Sequence, residues 1–102
     1  MATYNEIAVE LKCPRCGQAA SMVVDLYFGY RDQIKYSIGD VVAWHAGRAV
    51  QNGGRPADGE LDGEGYAECP ACKKDFFVVV EIRDDRLVRV RPDLQKKPWI
   101  PD

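Results

Sequence analysis

Cys13-Pro14-Arg15-Cys16-Gly17 and Cys69-Pro70-Ala71-Cys72-Lys73 hold all four cysteines of this 102-residue chain, as two C-P-x-C pairs. A two-residue spacer lets the backbone reverse while both sulfurs point inward, and backbone N–H groups of the loop can then donate to the thiolates. Two such loops offer four soft ligands, the set that a closed tetrahedral metal site takes. Pro14 and Pro70 restrict φ at the same place in each loop. Gly17 supplies the position after the second sulfur, where a left-handed residue is often needed. Cys13, Cys16, Cys69 and Cys72 are therefore the expected metal ligands.

The flanks of both loops read as strands. Ile7, Val9 and Leu11 alternate with polar residues in the run up to Cys13, and Met22, Val24, Leu26 and Phe28 share one face on the way back. This makes a hairpin with the first cysteine loop at its tip, ended by Gly29. Beyond the second loop, Phe76 to Ile82 is a strand, Asp84-Asp85 the turn and Leu87 to Arg91 the return, with Pro92 as terminator. Phe76, Val78, Val80 and Ile82 are expected to pack with Val88 and Val90. Between the loops, Ile34, Tyr36 and Ile38 alternate, Gly39-Asp40 punctuate, and Val41 to Trp44 follow, which predicts a two-strand insertion. The run Ile38-Gly39-Asp40-Val41-Val42 is similar to the strand entries of small SH3-like barrels. Residues 52–65 are Gly-rich and acidic and read as a mobile loop. The best helical candidate, Arg31 to Ile34, is too short to survive alone. The expected fold is all-β.

In its cysteine loops the chain resembles the zinc-ribbon and rubredoxin-like proteins. The resemblance rests on Cys13 to Gly17, on Cys69 to Lys73 and on the strands around them. It implies a pair of knuckle-tipped antiparallel hairpins facing each other across one ion, here with an inserted β subregion. Two features depart from that pattern. Lys73 stands where the second knuckle would have glycine, and the stretch from Gly17 to Glu68 is longer than a minimal ribbon needs. The expected organisation is a single domain over 1–95 with an insertion at about 31–65, and an extended tail over 96–102. Zinc is the default ion because it accepts four thiolates without redox chemistry. Iron in the same shell would make a rubredoxin-type electron carrier, and ligand identity leaves that choice open.

Other uses of the cysteines compete less well. Disulfides suit a secreted chain, whereas Met1 to Glu6 is polar and acidic, without the apolar stretch of a secretory signal. A dithiol redox centre places one motif at a helix N-terminus after a strand, whereas both motifs here lead into β-rich sequence. Simple burial would leave the matched spacing unexplained.

A chain of this length makes one domain, with a core of thin margin. A structural zinc in small peptides is worth about 10–16 kcal/mol, comparable to the whole stability of an ordinary domain, so metal and fold are expected to be coupled. Net charge is −2, which disfavours nucleic acid as a bulk electrostatic partner. No apolar run reaches the roughly 18 residues of a membrane span. No membrane partner is expected, and the expected location is cytoplasmic.

Charge is uneven along the chain. Asp58, Glu60, Asp62, Glu64 and Glu68 cluster in one stretch; Arg86, Arg89, Arg91, Lys96 and Lys97 cluster in another. Arg83, Arg89 and Arg91 fall on the outer strand face beside Glu81, where they would meet either phosphates or solvent. Trp99, between prolines, either folds back onto the sheet or anchors a partner protein. His45 is the only histidine, and no nucleophile pattern surrounds it. The acidic stretch lacks the order of a calcium loop. Nothing supplies both a reactive group and its activator, so the expectation is a non-enzymatic module binding another protein.

Overall fold

The computed structural model describes residues 4–98. Trp99 therefore lies outside the described residues. These fold into one curled, mixed six-stranded sheet with no α-helix among them, an all-β architecture as expected. Strands β1 (Asn5–Lys12), β2 (Ala19–Leu26), β3 (Lys35–Tyr36), β4 (Leu61–Glu68), β5 (Asp75–Arg83) and β6 (Arg86–Pro92) lie in the order β3-β1-β2-β4-β5-β6.

β1 and β2 form an antiparallel hairpin in full register from Asn5↔Leu26 to Lys12↔Ala19, with the first knuckle at its tip. β4 and β5 do the same from Leu61↔Ile82 to Glu68↔Asp75, with the second knuckle at theirs. Alternation works because one face of each hairpin enters the core. Ile7, Val24, Leu26, Val78, Val80 and Ile82 have no solvent exposure at all. The two hairpins meet through a short ladder, Asp25↔Tyr66 and Leu26↔Gly65. Their tips carry the two knuckles.

Three local expectations need correction. First, the supposed mobile loop over 52–65 ends in strand: β4 begins at Leu61. Its inward positions Gly63 and Gly65 read as turn residues, yet they are strand positions stripped of side chain to admit neighbours. A Cβ on Gly65 would lie 2.8 Å from Val78 Cγ2 and 2.9 Å from Val24 Cγ1, and one on Gly63 would run into the Phe28 ring. Second, Val88 is exposed and Leu87 is buried in its place. The register slips between Glu81 and Ile82, so that Glu81 opposes Arg89 while Ile82 opposes Leu87. Val88 is the extra residue of that bulge and is turned out of the core.

Third, the insertion is mostly irregular. β3 pairs with β1 over two residues in parallel, Glu6↔Lys35 and Ile7↔Tyr36, and Val41 makes a single bridge to Arg86. Polar anchors hold it instead of ladders. The buried Asn5 amide donates to Tyr30 O at 2.8 Å, and its Oδ1 accepts the N–H groups of Asp32 and Ile34 at 3.0 and 2.9 Å. Asp85, in the β5–β6 turn, accepts from the Trp44 indole at 2.9 Å and takes two bonds side-on from Arg55, from Nε at 2.7 Å and Nη2 at 3.0 Å. These contacts hold the Asp85 carboxyl below its usual range, the Arg55 hydrogen bond first and Trp44 second.

Candidate metal centre

Each knuckle is a tight turn closed by two backbone hydrogen bonds. In the first, Gly17 N donates to Cys13 O at 2.8 Å and Cys13 N to Gln18 O at 2.9 Å. In the second, Lys73 N donates to Cys69 O at 2.9 Å and Cys69 N to Lys74 O at 2.8 Å. The repetition makes the knuckles two copies of one device. In each, the first cysteine is buried at the end of a strand and the second sits on the rim: Cys13 and Cys69 have no exposure, Cys72 is half-buried and Cys16 is exposed.

The curl of the sheet brings the tips face to face. All four Sγ atoms lie within 4.8 Å of one another. Cys13 Sγ is 3.8 Å from Cys72 Sγ, and Cys16 Sγ is 3.8 Å from Cys69 Sγ. A tetrahedron of sulfurs about 2.3 Å from a zinc ion has edges of about 3.8 Å, whereas a disulfide needs about 2.05 Å. The four cysteines are free thiols at metal-ligand separation and can hold one ion.

Electrostatics point the same way. Backbone N–H groups of Cys72, and then of Ala71, draw the Cys69 thiol down to about 7. Around Cys16, the Gln18 N–H also pulls down, but loss of water and the sulfurs of Cys13, Cys69 and Cys72 together push its thiol up to about 11. Thiolates held this close to one another repel. A cation at their centre removes that repulsion. Arg15 N donates to Cys13 Sγ at 3.3 Å, the kind of support that orients a thiolate ligand.

Spacing alone did not reveal a polar tie between the two knuckles. Arg15, in the spacer of the first, reaches the start of β5 just past the second. Its Nη1 donates to Asp75 O at 2.9 Å and lies 3.4 Å from Asp75 Oδ1. Asp75 is fully buried, and its Oδ2 accepts from the Tyr66 hydroxyl at 2.9 Å. Burial, and then the Asp75 contact, push the Tyr66 hydroxyl up to about 12. An arginine inside C-P-R-C and an aspartate opening a strand carry no pattern that would pair them in advance.

The other candidate residues sit elsewhere. Arg83, Arg89 and Arg91 do share the outer face of β5 and β6, gathered around one carboxylate. Glu81 lies 3.0 Å from Arg91, 3.7 Å from Arg89 and 3.9 Å from Arg83, and Asp62 of β4 takes Arg83 at 3.0 Å. His45 is exposed, edge-on to Tyr30 with ring centroids 5.4 Å apart, and is not part of the cysteine cluster. Among the described residues no helix is long and apolar enough to cross a membrane. No known protein family, curated protein or solved structure matches this chain.

Proposed function

We propose that this chain is a small non-enzymatic zinc-binding protein. Its four-cysteine site is structural, and the framework it holds serves to bind another protein. The observation that carries this reading is the closed arrangement of four thiols, paired at 3.8 Å, between hairpins that otherwise meet through a short ladder. Four protein ligands leave no coordination position for a substrate, which is the mark of a structural site. Linking two hairpin tips is also where an ion adds most to the fold, because it closes a long stretch of chain.

The outer arginines favour protein over nucleic acid. Glu81 and Asp62 offset much of their charge, and counterion release needs unpaired cations facing phosphates.

Native mass spectrometry with elemental analysis tests the metal part. One zinc per chain, with loss of the folded state on chelation, is the expected outcome. A chain that stays folded and monomeric without metal would overturn it. Red protein with a reversible one-electron wave, from iron-replete cells, would replace zinc with iron and the binding role with electron transfer.

A further inference from the structure

Most arginines of this chain are matched by a carboxylate. Arg15 pairs with Asp75, Arg55 with Asp85, Arg83 with Asp62, and Arg89 and Arg91 with Glu81. Arg86 gives its Nη1 to the Gly39 carbonyl at 3.1 Å. Arg31 and Arg48 stand apart: among the described residues neither pairs with a carboxylate, and both line one pocket of about 580 Å³. Tyr30, His45, Gln51 and Asn52 line it with them, and no acidic residue does. Asp32 follows Arg31 in the chain but is not part of that lining. The bias is written in the sequence. From Val41 to Ala57 the chain carries His45, Arg48 and Arg55 and no Asp or Glu, although its net charge is −2.

Backbone contacts fix the segments that bear these side chains. Buried Asn5 holds the first of them, through Tyr30 O and the N–H groups of Asp32 and Ile34. Tyr30 N donates to Ala43 O at 2.8 Å and His45 N to Gly53 O at 2.7 Å, which ties the segments to one another. Gly54 N closes the turn that carries Gln51 and Asn52, donating to Ala49 O at 2.9 Å. A Cβ on Gly53 would lie 2.5 Å from Gly29 O, and one on Gly54 would run into Arg48 O. Such a frame is set before a ligand arrives, which lowers the cost of binding one.

We propose that this pocket binds a nucleoside monophosphate. Arg31 and Arg48 take the phosphate, for which paired guanidinium groups are suited. Arg31 donates to the Tyr27 carbonyl as well, and a guanidinium has further donors to give. The rings of Tyr30 and His45 are exposed and stand edge-on with centroids 5.4 Å apart, so a base can stack on one of them. The amides of Gln51 and Asn52 each donate and accept, as the edge of a base requires. The volume lies within the range of about 300–1,000 Å³ usual for small-ligand sites. A nucleic-acid strand would need a run of unmatched cations, and the arginines of β5 and β6 are matched. The site is independent of the metal and of the protein-binding role proposed above.

The test is an NMR titration of the metal-loaded full chain with AMP, GMP, CMP and UMP, beside adenosine and inorganic phosphate. At least one nucleotide should saturate and shift the amides of Tyr30, His45, Arg48 and Asn52. Adenosine and phosphate alone should bind more weakly by about tenfold or more, since each makes only part of the contacts. Arg31→Gln and Arg48→Gln should each weaken the nucleotide by about tenfold or more. Both side chains are exposed, so the variants should keep the wild-type amide spectrum away from the pocket. Lys12→Gln, which removes a cation elsewhere, should leave the affinity unchanged. Failure of every nucleotide to saturate, shifts centred on another surface, or equal weakening by Lys12→Gln would overturn the proposal. So would a single-stranded RNA oligomer that displaces the nucleotide and binds with a steep salt dependence, since the pocket would then belong to a nucleic-acid surface.

Discussion

Gly17 and Lys73 occupy the same position in the two knuckles, with φ of 79° and 62°, and each donates its N–H to the carbonyl of the first cysteine of its loop. Geometry, not residue type, is what repeats. The left-handed conformation costs an L-residue about 1–2 kcal/mol and costs glycine almost nothing.

Lys73→Gly should therefore stabilise the metal-loaded protein by about 1 kcal/mol at most, once the extra freedom of the unfolded chain is set against the relieved strain. Gly17→Ala should destabilise it by about 1 kcal/mol. Denaturant unfolding of the two variants beside the wild type checks both signs.

Arg15 and Asp75 should matter well beyond an ordinary ion pair, because the carboxylate is buried and Arg15 is nearly so. Removing the guanidinium in Arg15→Met leaves that carboxylate with fewer partners, a loss of about 3 kcal/mol by the usual cost of breaking a buried pair. Equilibrium unfolding at fixed metal concentration measures it, and an effect below about 0.5 kcal/mol would place the pair with surface bridges.

Tyr66 gives the same cluster a pH signature. Its hydroxyl is raised from 10.0 to about 12 in the fold, first by burial and then by Asp75. A raised value means that the stability it contributes is whole below pH 10 and drains away as pH climbs toward 12. Unfolding midpoints should fall across that window, and fall less in Tyr66→Phe. Tyrosinate absorbance tracks the titration directly.

Strands β1, β2 and β5 were legible in the sequence because bulk recurs at every second residue of their inward faces, and β6 was legible as a strand although its bulge puts Leu87 in the core in place of Val88. β4 was not, because its inward positions Gly63, Gly65 and Ala67 give their space to Phe28, Val24 and Val78. A strand that cedes volume looks like a turn. The insertion failed in the opposite sense: Ile34, Tyr36 and Ile38 alternate as a strand would, yet Ile38 is exposed, as is Val41 in the run that follows, and Asp85 and Asn5 help anchor the segment. The gathering of the four cysteines was readable from their spacing. The Arg15–Asp75 tie was not, since it joins residues 60 apart and depends on the finished curl.

Gly65→Ala tests the ceded-volume account. The added methyl meets Val78, Val24 and the Asp25 carbonyl within 3.0 Å, and backbone cannot step aside as a side chain can. A destabilisation of about 1–3 kcal/mol is expected, read by thermal unfolding with metal content unchanged. A neutral result would show that β4 has room the packing denies it.

X-ray absorption at the metal edge of the purified chain measures the coordination shell itself. A single shell of four sulfurs at about 2.3 Å around one zinc per chain is predicted. A shell completed by nitrogen or oxygen, or protein whose cysteines are bonded to one another, would contradict it.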